Sequence, residues 1–358
     1  MSQNMKRSIV LIPSLEPDER LTVYVRELNR YEIFHIVVVD DGSGKEYSHI
    51  FRELEREGCT VLHHGENQGK GCALKTGYQY IKENLSGCRS VITADSDGQH
   101  MAEDVYRLAM AAGDCPDGLW LGVRDFKKAG VPPKSLIGNR ITSLVFAGLY
   151  GKYIPDTQTG LRAFGPKLMD QMLNIKGDRF EYETQVLISC IRSKVPVRTI
   201  PIETVYEKGN EGTHFHALWD SLSVMKVVVS GFMKFFSVSL VSTVIDMAVA
   251  WVLFDLLRTV MEGQDFLRIM AATAAARCMS MSFNYVMNKN FVFQKGRDKG
   301  HGLARYLVLS GVNMLLSAAG VYMLHQLLGL DEKLVKMVCD ACLFIFSYHI
   351  QQRWVFCL

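Results

Sequence analysis

The chain has 358 residues, with 40 Lys and Arg against 37 Asp and Glu and a formal net charge of +3, too small an excess to imply a nucleic-acid partner. Its length suits roughly two domains of about 150 residues each, and charged residues are dense up to about Lys226 and sparse beyond it, so two different materials are joined. The nine cysteines have no paired spacing in the first half, which excludes a disulfide scaffold and fits a reducing compartment.

Met1 to Ser8 is polar and basic, and the apolar run Ile9–Ile12 is too short for the core of a signal peptide, so the first half is expected to stay in the cytosol. Short β-branched runs at Ser8–Ile12, Ile36–Val39, Thr60–His63, Ser90–Thr93 and Gly118–Leu121 predict strands. Amphipathic stretches at Glu19–Arg30, Tyr47–Glu57, Gly71–Glu83 and Ala102–Ala112 predict helices. This alternation predicts an α/β fold with a mostly parallel sheet and helices on both faces. Ligands of such sheets bind at the carboxyl ends of the strands.

Two strand ends carry paired acids. The second strand runs into Asp40-Asp41-Gly42-Ser43, and the fourth into Asp95-Ser96-Asp97-Gly98-Gln99-His100. Two aspartates one residue apart can converge on a hard cation that prefers oxygen ligands and shares them with substrate phosphates. Alone, the same D-x-D reads equally as an Asx-rich turn ahead of the helix at Ala102. The loop Gly65–Gly71 precedes a helix but fails the P-loop pattern, because Lys70 stands where the second glycine belongs and Cys72 follows Gly71. A lysine at a diphosphate remains open for Lys70.

Taken in order, Ile12-Pro13, Asp40-Asp41-Gly42-Ser43, Asn67-x-Gly69-Lys70-Gly71, Asp95–His100, Gly122-Val123-Arg124, Gly138-Asn139-Arg140, Asp156–Arg162 and Arg179–Thr184 resemble the family 2 glycosyltransferases. Within them the chain is most similar to the dolichyl- and polyprenyl-phosphate sugar synthases, over about residues 7–215. The resemblance implies a Rossmann-like GT-A fold, a divalent cation (Mg²⁺ or Mn²⁺) and inversion at the anomeric carbon. It implies that Pro13, Leu15, Val39 and Asp41 hold base and ribose. Asp95, Ser96, Lys70 and Arg124 would lie at the diphosphate, with Asp95, Asp97 and Gln99 as metal ligands. The family often reads Pro-x-Tyr-Asn-Glu after the first strand, where this chain has Pro13-Ser14-Leu15-Glu16-Pro17; the acid must then come from Glu16 or Glu19, and the nucleotide preference is open. A phosphate acceptor is already anionic, so the task is to bring it to an anionic donor, which calls for a metal and fixed arginines. Asp97, Arg124, Arg140 and Asp156 are the expected catalytic set, with Asp156 orienting either the acceptor or an arginine. Arg162 reads as a site arginine or as solvated surface, and Glu183, in a predicted helix, reads equally as structural.

Lys134–Tyr150 and the stripe Phe215, Leu218, Leu222, Met225 and Val229 have helical apolar spacing. With Lys127 and Lys128 nearby, at least one is expected on an anionic membrane surface. Four runs, 235–254, 266–287, 306–328 and 334–350, are long and apolar enough to be read as transmembrane helices. The expected division is a cytosolic enzyme domain over 1–212, an amphipathic juxtamembrane segment over 213–231 and a membrane domain over 232–358. The basic loop Lys289–Arg305 places both termini on the cytosolic side. Residues 283–293 repeat as 346–356, and Lys234-Phe235-Phe236 with Ser239 matches Arg305-Tyr306-Leu307 with Ser310. Two hairpins of one kind resemble the GtrA-like four-helix membrane proteins linked to lipid-linked sugars. The repeat explains Gln351-Gln352-Arg353-Trp354 better than the Q-x-x-R-W of processive synthases, whose spacing it misses. Cys339 and Cys342 read as small packing residues. Asp246, Arg277 and Asp340 lie inside the apolar runs, and Arg277 is expected to bridge both aspartates.

The function so implied is inverting transfer of a hexose from a nucleotide-sugar, of the UDP-glucose or GDP-mannose type, to polyprenyl phosphate at the cytosolic face of a bacterial or archaeal plasma membrane. A processive polysaccharide synthase, or flipping of a lipid-linked sugar by the membrane half, are the alternatives. The implied partners are the nucleotide-sugar, the lipid acceptor and the bilayer, with monomer and homo-oligomer both open.

Overall fold

A computed structural model describes residues 7–85, 87–124, 133–203, 217–262, 264–293, 300–329 and 332–356. The chain divides into two compact units, Met1–Val228 and Val229–Leu358.

The first unit alternates β1 (Ser8–Ser14), α1 (Glu19–Asn29), β2 (Phe34–Asp40), α2 (Ser48–Arg56), β3 (Thr60–His63), α3 (Lys70–Asn84), β4 (Val91–Thr93), α4 (Ala102–Asp114) and β5 (Leu119–Arg124). It continues through α5 (Pro133–Tyr150), β6 (Arg162–Phe164), α6 (Met169–Leu173), α7 (Glu181–Arg192) and β7 (Val197–Ile202). The strands form one sheet in the order β3-β2-β1-β4-β6-β5-β7. Every pairing is parallel except those of β6, which runs against both β4 and β5. This mostly parallel, mixed sheet is the expected α/β GT-A fold.

Helices cover both faces, so the strands are buried on both sides. All of β1 is buried, and successive residues serve opposite cores. Leu11, Val37 and Val39 pack on one face with Leu74, Tyr78 and Tyr182. Val10, Ile12 and Val38 pack on the other with Leu21, Leu108 and Ala112. The first five strands fall within a few residues of expectation. The last two strands have no counterpart in the sequence-based reading. Three residues are too few for β6 to show a period, and β7 contains Pro201, which an edge strand tolerates.

The reversal of β6 positions the site. Arg162, its first residue, pairs with Thr93 near the end of β4 and with Leu121 in β5. The loop that precedes it, 155–161, therefore lies where the parallel strands end.

In the second unit α8 (Ala217–Arg258), α9 (Asp265–Met287), α10 (Gly302–Leu328) and α11 (Glu332–Ile350) correspond to the four expected runs. α8 begins in the first unit and continues without a break, so the juxtamembrane segment and the first run are one helix rather than two elements. Residues 213–216, like Lys127 and Lys128, lie outside the described residues. Among the described residues, two helices contain stretches long and apolar enough to cross a bilayer, Ser223–Arg258 and Gly302–Leu324, with mean hydropathy 2.0 and 1.8.

This unit is apolar outside, and polar groups are buried among the apolar ones within. Trp251, Val252, Leu256, Met314, Leu315 and Phe346 are exposed, whereas Ser242, Ser280, Asn288, Ser347, Gln351 and Gln352 are buried beside Phe235, Phe293, Tyr348 and Phe356. An apolar exterior with small and polar residues between helices suits a bundle surrounded by lipid.

The sequence repeat is a structural one. α9 and α11 each end in a π-helical turn, Asn288–Val292 and Gln351–Val355, closed by Phe293 N–H to the Asn288 carbonyl and Phe356 N–H to the Gln351 carbonyl, both at 2.9 Å. Equivalent aromatic pairs recur, Phe235 with Tyr348 at 5.3 Å and Tyr306 with Tyr285 at 5.5 Å. The Gln351-Gln352-Arg353-Trp354 segment is thus the second copy of a helix terminus.

The intramembrane charges differ from expectation. Arg277 pairs with Asp246 at 3.5 Å, while Asp340 accepts from Ser317 at 2.5 Å. The repeat makes Asp246 and Ser317 equivalent, and likewise Arg277 and Asp340. Each hairpin therefore closes its own polar pair instead of sharing one arginine.

Candidate active site

Three loops at the ends of β1, β2 and β4 meet the loop before β6. The first two are tied by the Glu16 N–H, which donates to Ser43 Oγ at 2.8 Å. Glu16 is exposed, with φ +49, and Leu15 beside it is half-buried. Pro13 lies within buried β1. Val39 is fully buried in the core, turned inward by alternation along β2, so only its backbone is left to meet a ligand.

Asp41 shapes the loop entering α3. Its Oδ1 accepts from Gln68 N–H at 3.0 Å and meets His64 Nδ1 at 2.8 Å, and its Oδ2 accepts from Gly69 N–H at 2.8 Å. His64 also bonds Thr76 at 2.9 Å. Asp41 is thus a buried clamp between the end of β2 and the start of α3. Gly69 has φ +100 and abuts the Asp178 backbone, so a side chain there is excluded twice.

That clamp aims Lys70, the first residue of α3. Its Nζ donates to Asp95 Oδ1 at 2.7 Å and Glu183 Oε2 at 3.1 Å. Burial works against this charge, but the two carboxylates outweigh burial and raise the Lys70 pKa. Glu183 is anchored in turn. The Arg162 Nη1 donates to its backbone carbonyl at 2.6 Å, and Arg162 Nε lies 4.0 Å from its Oε1. Arg162 is buried, so it is no surface arginine. Glu183 Oε1 and Arg162 Nη2 are buried without a hydrogen-bond partner among the described residues.

Asp95 receives Lys70 on one oxygen and His100 Nε2 on the other, at 3.3 Å. Burial opposes its charge, yet Lys70 and then His100 hold it well below the usual carboxylate range. Asp97 behaves oppositely. Burial and the neighbouring Asp95 charge raise its pKa, while it accepts a hydrogen bond from Gln99 N–H at 3.1 Å. Gln99 thus meets Asp97 through its backbone rather than as a side chain beside it. Ser96, between the aspartates, is half-buried.

No cluster of three His, Cys, Asp or Glu groups suited to a metal occurs among the described residues. The donor set nevertheless fits Mg²⁺ or Mn²⁺. Asp97 is a half-buried carboxylate short of positive charge beside a second carboxylate, and such cations take one or two protein carboxylates and fill the rest with water and substrate phosphate.

The loop before β6 links this acidic pair to an arginine. Arg124, at the end of β5, donates from Nε to Asp156 Oδ2 at 2.7 Å and from Nη2 to Oδ1 at 3.1 Å. Asp156 is fully buried and also receives Gln158 N–H at 3.2 Å. Asn139 holds the loop from α5, donating to the Pro155 carbonyl at 2.7 Å and accepting from Thr157 N–H at 3.1 Å. At the far end of the loop, any side chain on Gly160 would collide with the Asp95 carboxylate. Of the two roles open to Asp156, orienting an arginine is the one this geometry supplies. Arg140 follows Asn139 on α5 but is exposed, and no contact brings it to Asp95, Asp97 or Asp156.

Residues 10–176 match the model for Glycosyl transferase family 2, and residues 234–356 match that for the GtrA/DPMS transmembrane domain. The chain is 28% identical over 219 residues to the UDP-N-acetylglucosamine–dolichyl-phosphate N-acetylglucosaminyltransferase of Methanococcus voltae, covering 55% of this chain and 85% of that one. It is 26% identical over 200 residues to the undecaprenyl-phosphate 4-deoxy-4-formamido-L-arabinose transferase of Edwardsiella ictaluri, covering 55% and 57%. Among solved structures, glucosyl-3-phosphoglycerate synthase of Mycobacterium tuberculosis, in complex with Mn²⁺, UDP-glucose and phosphoglyceric acid, aligns at 15% identity with a TM-score of 0.47, covering 63% and 79%.

Proposed function

For a glycosyltransferase that belongs to family 2 and carries a GtrA/DPMS transmembrane domain, we propose transfer of a hexose from a nucleotide-sugar to polyprenyl phosphate at the cytosolic membrane face. The observation that carries this is the loop 155–161, which fixes Arg124 through Asp156 at one end and backs onto Asp95 at the other. A cation-binding carboxylate pair and a preoriented guanidinium share one set of strand ends, which is what two phosphorylated substrates require.

Asp95 and Asp97 would hold a divalent ion, which would supply positive charge for the diphosphate leaving group. Arg124, held bidentately by Asp156, sets a planar guanidinium at the strand ends, where an acceptor phosphate would meet it. A phosphate oxygen of the acceptor forms the new bond to the anomeric carbon as the bond to the diphosphate breaks, with inversion. The acceptor is already anionic, so no side chain need remove a proton. Lys70 holds Asp95 and Glu183 in register.

The membrane reading rests on the apolar exterior of the second unit, with α8 to α11 all crossing and the basic 289–305 stretch on the cytosolic side. α5 adds two exposed apolar side chains, Ile141 and Leu144, while its Val145, Phe146 and Leu149 pack on the core of the first unit.

The test uses the full chain in lipid nanodiscs with labelled UDP-glucose, UDP-N-acetylglucosamine and GDP-mannose, each with a short-chain polyprenyl phosphate. One donor should give a lipid-extractable, acid-labile sugar. Release of free sugar alone, or of polymer, would overturn the proposal.

A further inference from the structure

Lys70 is shared between two carboxylates that come from different parts of the fold. Its Nζ donates at 2.7 Å to Asp95, in the loop after β4, and at 3.1 Å to Glu183, in the first turn of α7. The Lys70 and Glu183 side chains are only 17% and 10% exposed, so an ammonium here needs a carboxylate at hand.

The two contacts are built differently. α3 and α7 are pressed together at their starts. Cys72 N–H donates to the Asp178 carbonyl at 3.0 Å, Lys75 Nζ donates to Asp178 Oδ1 at 2.7 Å, and a side chain on Gly71 would strike Tyr182. Glu183 is fastened from the other side by Arg162, whose Nη1 donates to its backbone carbonyl at 2.6 Å and whose Nε lies 4.0 Å from its Oε1. Lys70 and Glu183 therefore stay together whatever Asp95 does. Asp95 belongs to another element, and its second oxygen meets His100 Nε2 at 3.3 Å.

We propose that Glu183 is a positioning residue for the cation site: it keeps Lys70 paired while Asp95 exchanges that lysine for a divalent ion. The proposal rests on reading Asp95 and Asp97 as the cation pair. Without Glu183, a cation at Asp95 would strand a buried ammonium, and a buried charge that loses its partner is strongly destabilising. With Glu183, Lys70 passes from two carboxylates to one and its charge stays neutralised. Lysine suits such an exchange, because its ammonium is a compact point charge on a flexible stem, whereas a guanidinium is tied to a planar fork. The Phe180 ring, its centre 5.9 Å from Lys70 Nζ, offers the same charge a further contact. A purely structural Glu183 would tie α7 to α3 and β6 and leave ion binding unchanged.

MnCl₂ is titrated into the full chain in nanodiscs, with UDP and with GDP in separate series, and the free ion is read from its electron paramagnetic resonance signal. Glu183→Gln should weaken Mn²⁺ binding about tenfold, as for one lost charge-assisted hydrogen bond. Adding Lys70→Met to Glu183→Gln should return the affinity to that of the parent or beyond it, because no ammonium is left to hold Asp95. If Glu183→Gln does not fold, Glu183→Asp carries the same comparison, alone and with Lys70→Met, since the shorter side chain keeps its charge near Arg162 but withdraws from Lys70. Parent-like affinity in the single variant, or a loss that Lys70→Met fails to reverse, overturns the proposal. A parent that binds no Mn²⁺ in either series overturns the cation reading together with it. Transfer to polyprenyl phosphate is measured on the same preparation. Ion binding lost and rescued as expected, but without transfer, overturns the transferase reading and leaves Glu183 its role.

Discussion

Asn288 donates from Nδ2 to Oε1 of Gln351 across 3.2 Å, and the two residues hold the same place in the two halves of the repeat. Phe293 and Phe356, also equivalent, stack beside them at 5.0 Å. A local two-fold axis therefore passes through a buried amide pair. Asn288→Leu should lower the stability of the membrane unit by about 1–3 kcal/mol, because Gln351 is left buried and unpaired. Asn288→Leu with Gln351→Leu should recover part of that loss. Thermal unfolding in detergent, comparing single and double variants, checks this; a double variant weaker than the sum of the singles rules it out.

Lys70 is the counter-ion of two carboxylates on different elements. Lys70→Met should cost about 1–3 kcal/mol in EDTA, and added Mn²⁺ should stabilise the variant more than the parent, since Asp95 then has a free oxygen for the ion. Thermal midpoints with and without MnCl₂ decide it. An equal metal response in both proteins means that lysine and ion do not compete.

Asp97→Asn removes one of two adjacent half-buried acids, so the fold should be as stable as the parent or slightly more so in EDTA. The Mn²⁺-dependent thermal shift and all transfer should vanish together. Retained transfer in EDTA by the parent would count against the metal itself.

Asp156→Asn should leave the loop folded, because an amide oxygen can still accept the Gln158 N–H. Arg124 loses its bidentate partner, and kcat should fall about 10²–10³-fold. Arg124→Lys should not restore the rate, since an ammonium cannot reproduce the planar fork. Steady-state kinetics with a fixed acceptor concentration are the measurement.

The parts of the fold that could be read from sequence are those with a long apolar run, β1 and β2 above all. β6 carries its signal in three residues and its meaning in its direction, which no local pattern encodes. The acidic pair, Arg124 and Asp156 were legible as motifs. The roles of Asp41 and Glu183 were not. Asp41 turns toward backbone N–H groups of a later loop, and Glu183 meets Lys70 across 113 residues of sequence. Arg162 looked like a surface group because an isolated arginine in sequence gives no sign of burial. In the membrane half the repeat was visible, but the π-helical turns were not, since their extra residue per turn leaves helical periodicity almost unchanged.

The apolar exterior of the second unit sets how the enzyme must be assayed. A protein dissolved in a bilayer meets a lipid co-substrate by lateral diffusion in a sheet, not by collision in a volume. The relevant concentration is then moles of acceptor per mole of phospholipid. Adding inert lipid at fixed total acceptor should slow the reaction, and an apparent KM expressed in bulk molarity will change with vesicle content while the value expressed as a mole fraction stays constant.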